Sequence, residues 1–258
     1  PRGLRKSGAS GETALATYGI IHGMVFPILM FPAATIGVLA QLIVPELTES
    51  QVSGRTKRVN YIVNRVFRLG LFFAMGVAGV LLCYAGELGE IVYGNPQAGS
   101  YLRIFAPLAV VMYLDTLVDG MLKGLGKQVA SMGYNILDAL AGVLLVYFLL
   151  PKYAIGGYVF AVFFTEVLNF ALSLWKLLSI TDLRLDLWAQ ARAFLCIVAA
   201  GMTADLILPR GIWGGSLGGL AARIGLTIGL YLAALCLVSC LKKEDWRWFL
   251  SLLRRGDE

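Results

Sequence analysis

An all-α, polytopic membrane helical bundle of about seven transmembrane helices is predicted by three observations. Hydrophobic residues fill 58% of the 258 positions and charged residues only 15%, against roughly 45–50% and about 25% in soluble domains. The mean hydropathy is +0.75. Apolar stretches recur seven times at fairly even spacing, and at about 20 residues per span they take up nearly the whole apolar supply. This excludes a soluble enzyme, a secreted disulfide scaffold and a nucleic-acid module, even with a net charge of +6.

The first stretch, about 13–45, holds no Lys, Arg, Asp or Glu between Thr13 and Val44 and is interrupted by Pro27 and Pro32. Proline removes a backbone donor and bends a helix, so this span is expected to be irregular. The second, about 66–85, follows an amphipathic basic lead-in containing Arg55, Lys57, Arg58 and Arg65, with Arg68 just inside the span. The third runs about 103–122, the fourth about 131–150 and the fifth about 154–175. A polar connector from Lys176 to about Arg192 precedes a sixth span, about 193–208, and the last covers about 217–241. Gly94-Asn95-Pro96, Gly124-Leu125-Gly126, Pro151 with Gly156-Gly157, and Pro209 with Gly214-Gly215 punctuate the joints. From Glu244 to Arg255 the tail reads as an amphipathic helix lying in the headgroup layer.

Lys and Arg fall unevenly on alternate loops, fifteen on one side and six on the other, with Arg223 inside the last span. The richer side is cytoplasmic, which places the C-terminus in the cytoplasm and the N-terminus of this chain outside. The chain opens Pro1-Arg2-Gly3-Leu4, and Arg2, Arg5 and Lys6 crowd its external end. A trimmed chain, whose first residues belong to a loop after an upstream helix, is the expectation. Cys83, Cys196, Cys236 and Cys240 lie in apolar stretches, with no Cys-x-x-Cys pair and no His cluster. No metal and no cofactor is expected.

Polar groups inside hydrocarbon are costly, and each is a candidate for mechanism. Asp115 and Asp119 lie four apart on one face of the third span, with Lys123 a further turn on, placed to pair with Asp119. Asn135 and Asp138 lie three apart on the fourth span, and Glu166 and Asn169 three apart near the middle of the fifth. These residues are read as cavity or ion-coupling candidates, with interhelical hydrogen bonding as the alternative. His22 sits one turn before Pro27, and imidazole ordinarily titrates near physiological pH. Arg223, about six residues into the last span, is placed either to snorkel to the external interface or to bind an anionic headgroup. Arg55, Arg58, Arg65 and Arg68 are headgroup-contact candidates, with leaflet electrostatics as the plainer reading.

The first span carries Tyr18-Gly19, Gly23-Met24, Pro27, Phe31-Pro32 and Val44-Pro45-Glu46 in order. Downstream come Leu122-Lys123-Gly124-Leu125-Gly126-Lys127-Gln128, Ser131-Met132, Tyr134-Asn135-Ile136 with Asp138, Leu149-Leu150-Pro151, and Glu166-Val167-Leu168-Asn169. This string resembles the polysaccharide-transporter, stage V sporulation protein B-like branch of the multidrug/oligosaccharidyl-lipid/polysaccharide (MOP) flippase superfamily. The resemblance implies a fold like the C-terminal lobe of a MOP/MATE-like transporter. Residues 1–180 would be that lobe without its first helix, 181–241 two additional transmembrane helices, and 242–258 a cytoplasmic tail.

It further implies a flippase, not an enzyme, in the bacterial cytoplasmic membrane. Such a protein moves lipid-linked oligosaccharide or polysaccharide precursors for cell wall, spore cortex or exopolysaccharide by alternating access, and the Pro27/Pro32 helix is the mobile candidate. The partners implied are the lipid bilayer, a lipid-linked saccharide, the missing N-terminal lobe, and an H⁺ or Na⁺ coupling ion; nucleic acid is not among them. Two alternatives stand beside this: a cation-coupled multidrug antiporter of the same superfamily, and a non-transporting membrane fragment or assembly partner. A membrane polymerase or acyltransferase is disfavoured by the lack of a His-Asp pair in the loops. From Met24 to Val44 there is no basic residue, whereas the lipid II flippase branch carries a cavity arginine near its Phe-Pro pair, so the same headgroup contacts are not expected.

Overall fold

The computed structural model describes residues 11–184, 186–210, 215–238 and 240–241. The basic cluster Arg2, Arg5 and Lys6 and the amphipathic tail lie outside them. Among the described residues every regular element is helical: α1 (Gly11–Ile20), a π-turn (Ile21–Val25), α2 (Phe26–Val52), α3 (Thr56–Glu87), a second π-turn (Leu88–Val92), α4 (Pro96–Gly124), α5 (Gln128–Ile180), α6 (Leu187–Ile207) and α7 (Leu217–Leu237). Six of the resulting rods, Ala16–Val52, Thr56–Val92, Pro96–Gly124, Gln128–Ile180, Trp188–Ile207 and Leu217–Leu237, are long and apolar enough to cross a membrane. The protein is a multi-pass membrane protein with an all-α fold.

The difference between seven expected spans and six rods lies in α5. Its 53 residues would extend about 80 Å if straight, far beyond the ~30 Å hydrocarbon core. Three residues after Pro151, Ala154 takes φ 49 and ψ −131 and breaks the helix. Asn135 and Asn169, which would be about 50 Å apart on a straight rod, share a 3.0 Å hydrogen bond. α5 is therefore a hairpin of two antiparallel arms. Gly157 permits the tight return, because a Cβ there would sit 2.6 Å from the Leu149 carbonyl oxygen. Other boundaries shift by a few turns. The basic lead-in expected before residue 66 is helical from Thr56, and α2 runs past Pro45 to Val52.

Two compact units partition the chain: residues 1–67 with 111–183, and residues 68–110 with 184–258. In the first unit α2 and the C-terminal part of α4 run parallel. Tyr113 donates to the Leu29 carbonyl at 2.5 Å, and Thr48 donates to the Gly124 carbonyl at 3.0 Å. Between these contacts Gly120 and Gly124, four apart, let the two backbones meet, as small residues do in membrane helix pairs. A Cβ on Gly120 would lie 2.8 Å from the Ala40 Cβ and 3.0 Å from its carbonyl oxygen. Because backbone cannot give way, Gly120→Ala is expected to destabilise the fold by about 1–3 kcal/mol. Gly133→Ala, with open space around the added carbon, is expected to be neutral or mildly stabilising. Thermal unfolding of the two variants in detergent checks the contrast.

α4 ends where the quoted Gly-Leu-Gly string requires it. Gly126 adopts φ +69, and the Lys127 N–H turns back to the Leu122 carbonyl at 2.8 Å, a left-handed cap suited to glycine. Beyond the hairpin, Asp182 is tied to α3: its carboxylate accepts from the Asn60 amide at 2.8 Å, and its carbonyl from Asn64 at 3.0 Å.

The second unit packs the C-terminal half of α3 against α6 and α7 through small residues. A Cβ on Gly76 would meet the Tyr231 ring, one on Gly79 would meet Ile197, and one on Gly201 would meet the Cys83 sulfur. Tyr231 anchors the contact by donating to the Phe72 carbonyl at 2.8 Å. Asp186 and Ser216 cap α6 and α7 by accepting the N–H groups of Ala189 and Gly219, each at 3.1 Å.

Candidate functional site

The hairpin places polar residues in register. Ser131 and Ser173, Asn135 and Asn169, and Asp138 and Glu166 stand at equal distances either side of residue 152. Folding at Ala154 brings these three rungs level, and α4 lays Asp119 and Asp115 beside them. Asp119 is engaged on both oxygens. Oδ1 accepts from Ser131 at 2.7 Å and from Ser173 at 3.4 Å, and Oδ2 accepts from the Asn135 amide at 3.2 Å. Lys123, the partner expected from sequence, is exposed, and among the described residues no Asp119–Lys123 ion pair forms. Three neutral donors from the two arms already occupy the carboxylate.

One turn away the arrangement opens. The Asn169 amide donates to Asp115 Oδ2 and to Asn135 Oδ1, both at 3.0 Å. Asp115 Oδ1, Asp138 Oδ1 and Asn169 Oδ1 are buried without a hydrogen-bond partner. A buried polar atom in this state is costly unless something else supplies the missing contact. All three residues, with Glu166, line a cavity of about 250 Å³. Asn135, Thr116 and Tyr113 add polar atoms to its wall, Met30, Ala33 and Met112 add apolar surface, and the exposure of Met30, Thr116 and Asn135 shows that it opens to the surface. Among the described residues no Lys, Arg or His lines it. Three carboxyl groups with no cationic side chain form a site that favours a proton or a cation and disfavours an anionic headgroup.

The remaining candidates go elsewhere. His22 lies outside the cavity, in the π-turn before Pro27, and shares a 2.6 Å hydrogen bond with the Tyr158 hydroxyl. Pro27 opens α2 and Pro32 lies within it, flanking and adjoining the cavity residues Met30 and Ala33. Arg55 is exposed, Arg58 pairs with Glu46 at 3.3 Å, and Arg68 is half-buried. Arg65 departs from the expected headgroup role. It is 7% exposed, lies 5.3 Å over the Tyr61 ring and donates to the Tyr61 hydroxyl, so its charge is directed into the protein.

Arg223 does not snorkel. It is fully buried in the second unit, donating to Glu87 Oε2 at 2.5 Å and to Asp205, with its guanidinium 5.0 Å over the Tyr84 ring. Two acids delivered by other helices neutralise it in place, so it has no need to reach water. Arg210 completes the cluster, 3.4 Å from Glu87 and 3.2 Å from Asp205. Sequence reasoning passed over Glu87, Asp205, Ser173 and Tyr158. The signal for Ser173 was the mirror spacing about residue 152; that for Glu87 and Asp205 was the lone arginine in an apolar span, which needed acids near the ends of neighbouring spans.

Stage V sporulation protein B of Bacillus subtilis (strain 168) aligns over 247 residues at 24% identity, covering 95% of this chain and 48% of that protein. This chain is similar to Stage V sporulation protein B. Sporulation protein YkvU of the same organism aligns over 146 residues at 21% identity, covering 57% of this chain and 33% of that protein. The chain thus spans about half the length of Stage V sporulation protein B and a third of that of YkvU. No protein-family model matches the chain. The alignment with Stage V sporulation protein B supports the polysaccharide-transporter branch indicated by the motif string, and it takes in both compact units rather than the hairpin alone.

Proposed function

We propose that this chain supplies one lobe of a membrane flippase that moves a lipid-linked saccharide by alternating access, and that the carboxylate cavity is its ion-coupling site. The observation that carries the reading is the cavity itself: Asp115, Asp138 and Glu166 around about 250 Å³, with buried oxygens left unpartnered and, among the described residues, no basic side chain in the lining. A site built this way takes up H⁺ or Na⁺ and releases it when the surroundings change, and such an exchange drives a conformational cycle. The similarity to Stage V sporulation protein B supports a role in sporulation. The saccharide headgroup, anionic through its phosphates, would be handled outside this cavity, in the space facing the second lobe.

The test is reconstitution of the full-length protein in liposomes carrying a fluorescent lipid-linked oligosaccharide, with and without a proton or sodium gradient. Gradient-stimulated movement of the labelled lipid between leaflets is the expected result. The same acidic cavity, with Met30 and Met112 in its wall, also suits an amphipathic organic cation. Gradient-driven efflux of such a cation, with no movement of the lipid, would replace the flippase with an antiporter.

A further inference from the structure

The second arm of the hairpin packs through a narrow seam. Its buried positions are Gly157, Ala161, Thr165, Asn169, Ser173 and Leu177, one in every four residues and hence one stripe along the helix. Apart from Leu177 they are small or polar, so hydrogen bonds carry much of the attachment, as between other membrane helices. The stripe reaches α4 through Asn169, which donates to Asp115 at 3.0 Å, and Ser173, which donates to Asp119 at 3.4 Å.

Asn169 differs from Ser173 in what it joins. It is 5% exposed, and its amide donates both to Asp115 Oδ2 and to Asn135 Oδ1, each at 3.0 Å. The Asn135 amide in turn donates to Asp119 Oδ2 at 3.2 Å. A chain of hydrogen bonds thus runs from Asp115, which keeps an unpartnered oxygen in the cavity, to Asp119, which fastens both arms. The Asn169 amide is fixed in this sense, because reversed it would set its carbonyl against a carboxylate and a second carbonyl. The charged groups facing Asp115 are Asp119 on its own helix and Asp138 and Glu166 from the two arms, while α2 contributes Met30 and Ala33 to the lining. Among the described residues no cationic side chain in that lining competes with Asn169 for the Asp115 charge. While Asp115 is ionised, the bond from Asn169 is charge-assisted, and such bonds are roughly twice as strong as neutral ones. A proton or cation taken up at Oδ1 neutralises the carboxylate and brings the bond at Oδ2 down to neutral strength.

We propose that Asn169 is the positioning residue of the cavity: it senses the charge on Asp115, so that uptake of an ion loosens the second arm from α4. With its hold on Asp115 weakened, Asn169 stays bonded to Asn135, and the long Ser173–Asp119 bond is left to keep the arm on α4. Occupancy of the cavity thereby changes how firmly one helix is held, which is the kind of two-state element that coupling needs. This rests on reading the cavity as the coupling site, and the test follows the arm rather than transport, so that the two can fail separately.

In the full-length protein with its natural cysteines replaced by serine, Leu177→Cys reports from the end of the stripe, where the leucine is fully buried. Val129→Cys, 81% exposed at the same end of the hairpin, serves as control and corrects for any effect of pH or salt on the reagent. Both are modified in nanodiscs by a small water-soluble thiol reagent, across pH at fixed sodium and across sodium at fixed pH. The ratio of rates, 177 to 129, is expected to rise about fivefold as the effective ion saturates, the weight of turning one charge-assisted hydrogen bond into a neutral one. Asp115→Asn, neutral throughout, is expected to show the high ratio at every ion concentration. Asn169→Leu, which fills similar space without a donor, is expected to do the same. Hydrogen exchange around Ser173, in protein that keeps Leu177, repeats the comparison without a cysteine at a packed position. An ion response as strong in Asn169→Leu as with Asn169 present overturns the proposal, and so does a ratio that neither ion changes. Flipping that ignores an imposed gradient, with the ion response of the ratio intact, overturns the coupling reading instead.

Discussion

Replacing Glu166 with Gln and Asp138 with Asn in the full-length protein is expected to cut gradient-driven flipping by about tenfold or more, within the usual range of a coupling between two sites. Both residues line the cavity, and Asp138 Oδ1 is one of its unpartnered buried oxygens. Each amide matches its acid in size, keeps an oxygen acceptor and removes the ionisable group. The protein should therefore remain folded, as a monodisperse size-exclusion peak would show, while the exchange of H⁺ or Na⁺ is lost. What residual flipping survives should no longer respond to an imposed gradient. Unchanged flipping in the double variant would remove the cavity from the mechanism. Asp119 belongs to a different experiment, since its three hydrogen bonds from Ser131, Ser173 and Asn135 make it a fastener of the hairpin to α4.

Arg223→Leu is expected to be among the most destabilising single changes, costing about 3–5 kcal/mol, the range seen when one partner of a buried ion pair is removed. The arginine is fully buried between Glu87 and Asp205, and its loss leaves two carboxylates with only the half-exposed Arg210 beside them. Adding Glu87→Gln and Asp205→Asn should recover much of the loss, because the penalty comes from charges left without a counter-charge and not from the missing side chain. Thermal unfolding in detergent or nanodiscs measures both steps. A small loss from Arg223→Leu, with no recovery from the added neutral substitutions, would mean that the cluster contributes little to the packing of the second unit.

These two sites show unequal legibility. The acids of the cavity could be singled out from sequence, because any carboxyl group in an apolar span stands out against its surroundings. Which of them is engaged could not. Asp115 and Asp119 look alike on one helix face, yet Asp119 meets three donors and Asp115 meets one. The donors come from residues far along the chain, and only the reversal at Ala154 brings them level. Arg223 shows the same limit from the other direction. Read alone, it is placed either to snorkel to the interface on its long stem or to bind an anionic headgroup; in the folded unit, acids from two other segments neutralise it in place.

The hairpin itself lies between these cases. Pro151 and Gly156-Gly157 mark a joint in the sequence, and the helix breaks between them at Ala154. The three polar rungs mirrored about residue 152 were also present in the sequence. Their significance depended on knowing that the two arms return on each other in register.

By itself the sequence determined that the chain is a multi-pass helical membrane protein, because hydrocarbon admits apolar helices and penalises every charge. It also marked the turns that need Gly126 and Gly94, both at positive φ, and the residues from which a mechanism can be built. Only the tertiary structure decided which acids remain open to a cavity, which arginine is locked between carboxylates, and that His22 meets Tyr158. A polar group's character in a membrane is set by the partner that reaches it, and that partner is chosen by helix packing rather than by neighbours in the chain.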